Sequence, residues 1–251
     1  MKMRFTRLFA AALGAGLISV AQAGERRFVY NYDTETAPAG SWEYEQWVTW
    51  RHYTDKDRLD VRHEVEYGIT DRLQVGFYLA DWRYEKVKGA ASETDYRASG
   101  AEVIYQLSDP NKDAFGSAIY GEVLIGDEQV KLEPKLLLQK NFGPFVAVYN
   151  LVLEAEWEGE DLRNLDEKVG VWENTFGLSC QINPRLFVGV EALHEQEFAD
   201  WSDAGEHVVY AGPNLSCRHG AFFATVAGLL QATDVDGEPE SQVRIIAGAG
   251  F

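Results

Sequence analysis

The sequence predicts an all-β chain: a transmembrane, antiparallel up-and-down β-barrel of about twelve strands that ends on an aromatic residue. Three observations carry this expectation. Apolar residues recur at every second position, as in "VEYGITDRLQVGFYLA" (65–80), where Val65, Tyr67 and Ile69, then Leu73, Val75, Phe77 and Leu79, alternate with polar or small residues. Successive side chains of a strand point to opposite faces, so each such segment has one apolar face. Short and long connections alternate from end to end, and hardly any sequence is left for a helical layer to cover those faces. The chain also opens on a secretory signal and closes on an alternating strand ending in Phe251.

The N-terminus "MKMRFTRLFAAALGAGLISVAQAGE" has Lys2, Arg4 and Arg7, an apolar run from Leu8 to Val20, and the A-x-A site Ala21-Gln22-Ala23. This is the anatomy of a signal peptide, 1–23. The run is too short for a membrane-spanning helix, which needs about 20 apolar residues. Cleavage leaves 228 of the 251 residues, starting at Gly24. With three basic residues removed, the 23 Lys+Arg become 20 against 40 Asp+Glu. So acidic a chain disfavours nucleic acid as a partner. Residues 24–40 are expected as a periplasmic N-terminal segment, and 41–251 as the barrel.

Twelve strands follow. The first, about 41–53, carries Trp42, Tyr44, Val48 and Trp50 on one face; the second, about 58–69, Leu59, Val61, Val65, Tyr67 and Ile69. The third is about 72–82. The fourth, about 96–107, carries Ala101, Val103, Tyr105 and Leu107; the fifth, about 114–126, Ile119, Val123 and Ile125. The sixth, about 129–141, shows Val130, Leu132, Leu136 and Leu138, and the seventh, about 145–157, alternates unbroken from Phe145 to Trp157. The eighth to eleventh are about 168–182, 185–195, 206–217 and 221–233. The last, 241–251, sets Val243, Ile245, Ala247, Ala249 and Phe251 on one face.

Thr70-Asp71, "SDPNK" (108–112), "NFGP" (141–144), "NPR" (183–185) and "RHG" (218–220) are tight turns rich in Asn, Asp, Pro and Gly. Between them fall the longer polar stretches 83–95, 158–167, 196–205 and 234–240. Outer-membrane barrels sort their connections this way, with short periplasmic turns and longer extracellular loops. The apolar faces then pack against lipid, and closure leaves no backbone group unpaired in the hydrocarbon. A soluble all-β fold would need a second layer that the pattern does not supply.

"YDTETAPAGSWEYEQWVTWR" (32–51), "EYGITDRLQVGFYL" (66–79) and "LLLQKNFGPFVAVYNLVLEAE" (136–156) together resemble a porin-like group of small proteobacterial outer-membrane barrels of unknown function. The final "VRIIAGAGF" resembles the strand that the barrel-assembly machinery of Gram-negative bacteria reads, with Phe251 as the assembly signal. The resemblance implies an outer-membrane location, with lipid and lipopolysaccharide as surroundings. It brings no activity and no catalytic residues.

If the apolar parity faces lipid, the other lines the lumen. It carries Glu43, Glu45, Glu64, Glu66, Glu102, Glu122, Glu133, Glu154, Glu156, Glu173, Glu191 and Glu195, against Arg51, Arg62, Lys131, Lys135 and Arg244. A hydrated lumen of this charge concentrates cations and excludes anions over a Debye length, about 8 Å at physiological salt. The expectation is a small cation-preferring passive channel for small solutes, cationic ones among them. The alternatives are a structural barrel filled by cross-strand ladders, or an outer-membrane hydrolase acting at the extracellular rim. For the last, none of the five histidines heads a His-x-Ser pair; His52 and His194 lie near the rim and read as solvated. Glu154 and Glu156 share a strand face, which accounts for the pair without glycosidase chemistry. No enzyme, cofactor or metal is expected; "DVDGEPE" (234–240) has its glycine out of register for a calcium loop. The tryptophans near strand ends read as interfacial girdles. Cys180 and Cys217 fall on strands separated by a third, about 10 Å apart, and are expected unpaired.

The mature protein should therefore begin at Gly24 and run heat-modifiable in the outer-membrane fraction. N-terminal sequencing and gel mobility with and without boiling check both, and recovery as a soluble periplasmic protein would reject the barrel.

Overall fold

The computed structural model describes residues 26–251; the signal sequence 1–23 lies outside the described residues. Twelve strands form one closed antiparallel barrel: β1 (Trp42–His52), β2 (Lys56–Thr70), β3 (Leu73–Val87), β4 (Ser92–Ser108), β5 (Gly116–Ile125), β6 (Gln129–Phe142), β7 (Phe145–Glu158), β8 (Glu167–Asn183), β9 (Leu186–Ala199), β10 (Asp203–His219), β11 (Phe222–Gln231) and β12 (Ser241–Gly250). Each strand pairs with its sequence neighbours, and β12 returns to β1. Closure reaches the last residue: Phe251 N–H donates to Trp42 O at 2.8 Å, and Trp42 N–H to Phe251 O at 2.9 Å.

The outward face is the apolar parity. Trp42, Phe77, Ile119, Leu153 and Ile245 are exposed, whereas Glu45, Glu64 and Glu191 on the opposite parity are almost wholly buried. Both cysteines are free, Cys180 on β8 and Cys217 on β10, with β9 between them.

Three expectations are corrected. First, 83–95 and 196–205 are mostly paired strand rather than loop, so β3–β4 and β9–β10 run on as hairpins to turns at 88–91 and 200–202. The second turn has consecutive left-handed residues, Asp200 (φ 48°) and Trp201 (φ 59°). That conformation matches the twist of a two-residue hairpin, and the Trp201 ring packs edge-on against Trp157 at 5.3 Å.

Second, the pleat does not keep parity along β3. Register shifts between Tyr78 and Trp82 turn Asp81 and Arg83 into the lumen, where unbroken alternation from Gln74 would have put their neighbours. Third, the segment expected in the periplasm lies inside the barrel from Arg26 to about Ala37. Phe28, Val29, Asn31 and Thr34 are among its fully buried residues. The lumen of the short-turn half consequently has an apolar core, in which Val29, Tyr30 and Tyr32 pack with Trp47, Ile104, Tyr120, Leu137 and Ile246.

Replacing Phe251 by Ser keeps the closing backbone bonds but removes an exposed aromatic ring from the lipid boundary. Assembly should fall severalfold while the fraction that does insert stays heat-modifiable; quantitative blotting of outer-membrane fractions measures this.

Candidate functional site

A stretch of backbone without a strand partner must still pair its N–H and C=O groups when buried. Side chains do this for residues 26–37. The Glu191 carboxylate accepts from Val29 N–H (3.0 Å), Tyr30 N–H (2.8 Å) and Asn31 Nδ2 (3.0 Å). Asn150 uses both ends of its amide, accepting from Tyr32 N–H at 2.7 Å and donating to Tyr32 O at 3.1 Å. Gln139 Oε1 accepts from Thr34 N–H, and Gln106 Nε2 donates to Thr34 O. Gln74 Oε1 takes Ala37 N–H, Asn214 Nδ2 donates to Arg27 O, and Arg244 Nη1 to Val29 O. Ser216 and Thr225 hydroxyls both donate to Arg26 O. The inserted segment is thus held by side chains from eight strands, β3, β4, β6, β7 and β9–β12.

Packing adds shape. A Cβ on Gly177 would lie 2.6 Å from Phe28 Cε1 and 2.9 Å from Val148 Cγ2, so only glycine there leaves room for the Phe28 ring. Tyr32 sits at the centre, 5.0 Å from the Tyr120 ring and 6.3 Å from Trp47, with the Lys135 ammonium 4.3 Å over its face.

Two cavities approach Tyr32 from opposite ends. The one toward the longer loops measures about 550 Å³ and the one toward the short turns about 330 Å³. The larger is lined by eight Arg or Lys and eleven Asp or Glu residues. They are segregated. Arg51, Arg58, Arg62, Arg83, Arg97 and Arg244 come from β12 and β1–β4, whereas Glu133, Glu154, Glu156, Glu158, Glu173, Glu195 and Glu197 come from the facing strands β6–β9. Asp60 ties the basic wall together through Arg51, Arg58 (2.8 Å) and Arg83 (3.0 Å), and Asp81 binds Arg62 at 2.7 Å. The walls meet where Arg97 pairs with Glu158 at 3.2 Å. In the loop above, burial and then the Glu197 charge hold the Glu238 carboxyl above the usual carboxylate range.

The residues assigned to the lumen face from sequence fall into four groups on the inner wall, two of which share Glu122 and Glu133. Arg51, Arg62, Lys131, Lys135, Glu154, Glu156, Glu173, Glu195 and Arg244 line the larger cavity. Glu43, Glu45 and Glu66 line the smaller one, with Glu64 paired across from Glu45. Glu191 holds the inserted segment. Glu102, Glu122 and Glu133 lie in a cross-strand row, in which Tyr78 and Tyr120 hydroxyls donate to Glu122 at 2.9 and 2.6 Å, and Lys135 pairs with Glu133 at 2.6 Å. Sequence reasoning missed Arg58, Arg83, Arg97, Asp60 and Asp81. It also missed the amides Gln74, Gln106, Gln139, Asn150 and Asn214, whose signal was their inward parity. His52 bonds Asp57 at 2.8 Å and stacks on Trp50, and His194 bonds His207 at 2.8 Å on the outer face.

Replacing Gly177 by Leu should expel Phe28 and free the segment without opening the barrel. Glu191→Ala should loosen it too, because two buried backbone donors lose their acceptor at about 1–3 kcal/mol each. Trypsin cutting after Arg27, read by mass spectrometry on folded protein, should be slow in the wild type and at least tenfold faster in both variants.

Comparison with known proteins places this geometry. An outer membrane channel from Pseudomonas putida F1 superposes with a TM-score of 0.65 at 12% identity, over 89% of this chain and all of that one. LpxR from Salmonella typhimurium gives 0.56 at 9% identity, over 84% and 100%. The NanC porin gives 0.52 at 11% identity, over 83% and 98%. No curated protein matches the chain. The fold is the closed β-barrel of these outer-membrane proteins. The profile of a family of unknown function, DUF6662, matches residues 20–244, and the chain belongs to that family.

Proposed function

We propose that the protein is a small passive channel for polar solutes, weakly cation-preferring, with its own inserted segment as the gate. The observation that supports this most directly is the pair of cavities meeting at Tyr32 from opposite ends of the barrel. The segment between them is held by side chains and not by strand pairing, so water can replace each of its bonds while the barrel stays closed. The Pseudomonas putida relative with the same fold is itself a channel.

The charge pattern supports the selectivity. Eleven acidic against eight basic side chains leave the larger cavity mildly negative, so cations are favoured. The excess is smaller than the glutamate row alone suggests, because arginines missed by parity return positive charge. Segregated walls also set up a field across the cavity, which orients dipolar solutes with their positive ends toward β6–β9. In this reading the rim histidines are structural and no residue is catalytic. The close fit of residues 26–37 favours a second reading, a filled barrel whose loops carry the function.

Planar-bilayer conductance under a salt gradient separates the two. The wild type should pass small, intermittent currents, and a variant lacking residues 26–37 should conduct severalfold more, both with cation preference. Glu154→Gln with Glu156→Gln should reduce that preference without unfolding the barrel. Negligible conductance in both the intact and the deleted protein would establish the filled barrel, and anion selectivity would reject the charge argument.

A further inference from the structure

Five glutamates stand in one cross-strand row of the lumen wall. Glu43 pairs with Glu66, Glu66 with Gly76, Gly76 with Glu102, Glu102 with Glu122, and Glu122 with Glu133. Like charges set directly opposite are destabilising, and buried carboxylates need a partner. At one end of the row the partners are present. Lys131 and Lys135 lie 3.0 and 2.6 Å from Glu133, and Arg62 lies 3.6 Å from Glu122.

Around Glu66 the cationic partners are fewer. Glu45, Glu64 and Glu66 are 0, 0 and 5% exposed, and each brings a carboxylate oxygen within 4.8 Å of the other two. Both oxygens of Glu64 and Oε1 of Glu45 have no hydrogen-bond partner. The nearest ion pair is Arg26 Nε at 3.8 Å from Glu45 Oε1. A second observation comes from outside the trio. Glu102, 3% exposed, has an Oε1 with no partner. Its side chain folds over the bare Cα of Gly76 beside Glu64, since a Cβ there would lie 2.6 Å from Glu102 Cγ and 2.7 Å from Glu64 Oε1.

We propose that Glu45, Glu64 and Glu66, with Glu102 alongside, form a binding site for a hard divalent cation of the calcium class. Calcium takes carboxylate oxygens at about 2.3–2.6 Å, so oxygens on opposite sides of one ion stand up to about 5 Å apart, which suits this spacing. Magnesium, at about 2.0–2.1 Å, fits it less well. Trp47 Nε1–H donates to Glu45 Oε2 at 2.7 Å and fixes that ligand. The smaller cavity, lined by Glu43, Glu45, Glu66 and Arg26, supplies the entry path from the short-turn end. Arg26 belongs to the inserted segment and is the resident competitor for the same charge. The site does not depend on whether the barrel conducts.

The test uses terbium as the probe, excited through tryptophan, on folded full-length mature protein freed of divalent ions. Trp47 stands beside the site as the sensitiser. Saturable emission displaced by calcium is expected, with affinity at least tenfold weaker in Glu64→Gln/Glu66→Gln. Absence of sensitised emission from folded protein overturns the proposal, as does emission unchanged in that variant, which would place the ion in the acidic loops. Should the double variant fail to assemble, Arg26→Gln carries the test. Affinity at least threefold tighter than wild type is expected, and affinity unchanged or weaker overturns the proposal.

Discussion

The structure turns on a length of backbone that has no strand to pair with. Residues 26–37 cross the lumen as irregular chain, and the free energy of burying their peptide groups is recovered only because the barrel wall offers side-chain donors and acceptors at the required positions. Asn150 shows the logic most plainly: an amide reproduces both hydrogen bonds that a neighbouring strand would have made to Tyr32. Glu191 reproduces an acceptor for two successive N–H groups, which no neighbouring peptide could serve. The division of the interior into two cavities, the aromatic packing around Tyr32 and the bare Gly177 all follow from keeping that segment in place.

The same constraint explains what the wall is made of. A twelve-stranded barrel is too wide for its inward side chains to meet across the middle, and too narrow to leave a broad aqueous pore. The inserted chain takes up the difference in the short-turn half. Toward the longer loops, where it is absent, arginines and glutamates stand on opposite walls, bound within each wall by Asp60, Asp81 and Lys131.

Much of the fold was legible because lipid imposes a binary pattern. Wherever one face of a strand meets hydrocarbon, alternation is strict, so Glu45 against Tyr44 or Glu154 against Leu153 could be assigned to their faces from sequence. Legibility ended where that constraint ended. Beyond the hydrocarbon the β3–β4 and β9–β10 hairpins meet water on their outer face, so their polar residues looked like loop. The irregularity near Tyr78 shifts parity locally, and no residue type announces it. The segment "RRFVYNYDTET" (26–36) carried the least signal, because its partners are single side chains scattered over eight strands, with no period to detect. Strand parity indicated the negative sign of the lumen charge but not the segregation of its charges, which is a property of strand order around the ring.

The partners of the inserted segment run from Gln74 on β3 to Arg244 on β12, and so span nearly the whole barrel sequence. They come together only when the final strand has closed on the first. The earliest part of the mature chain to be synthesised is therefore the last to find its place.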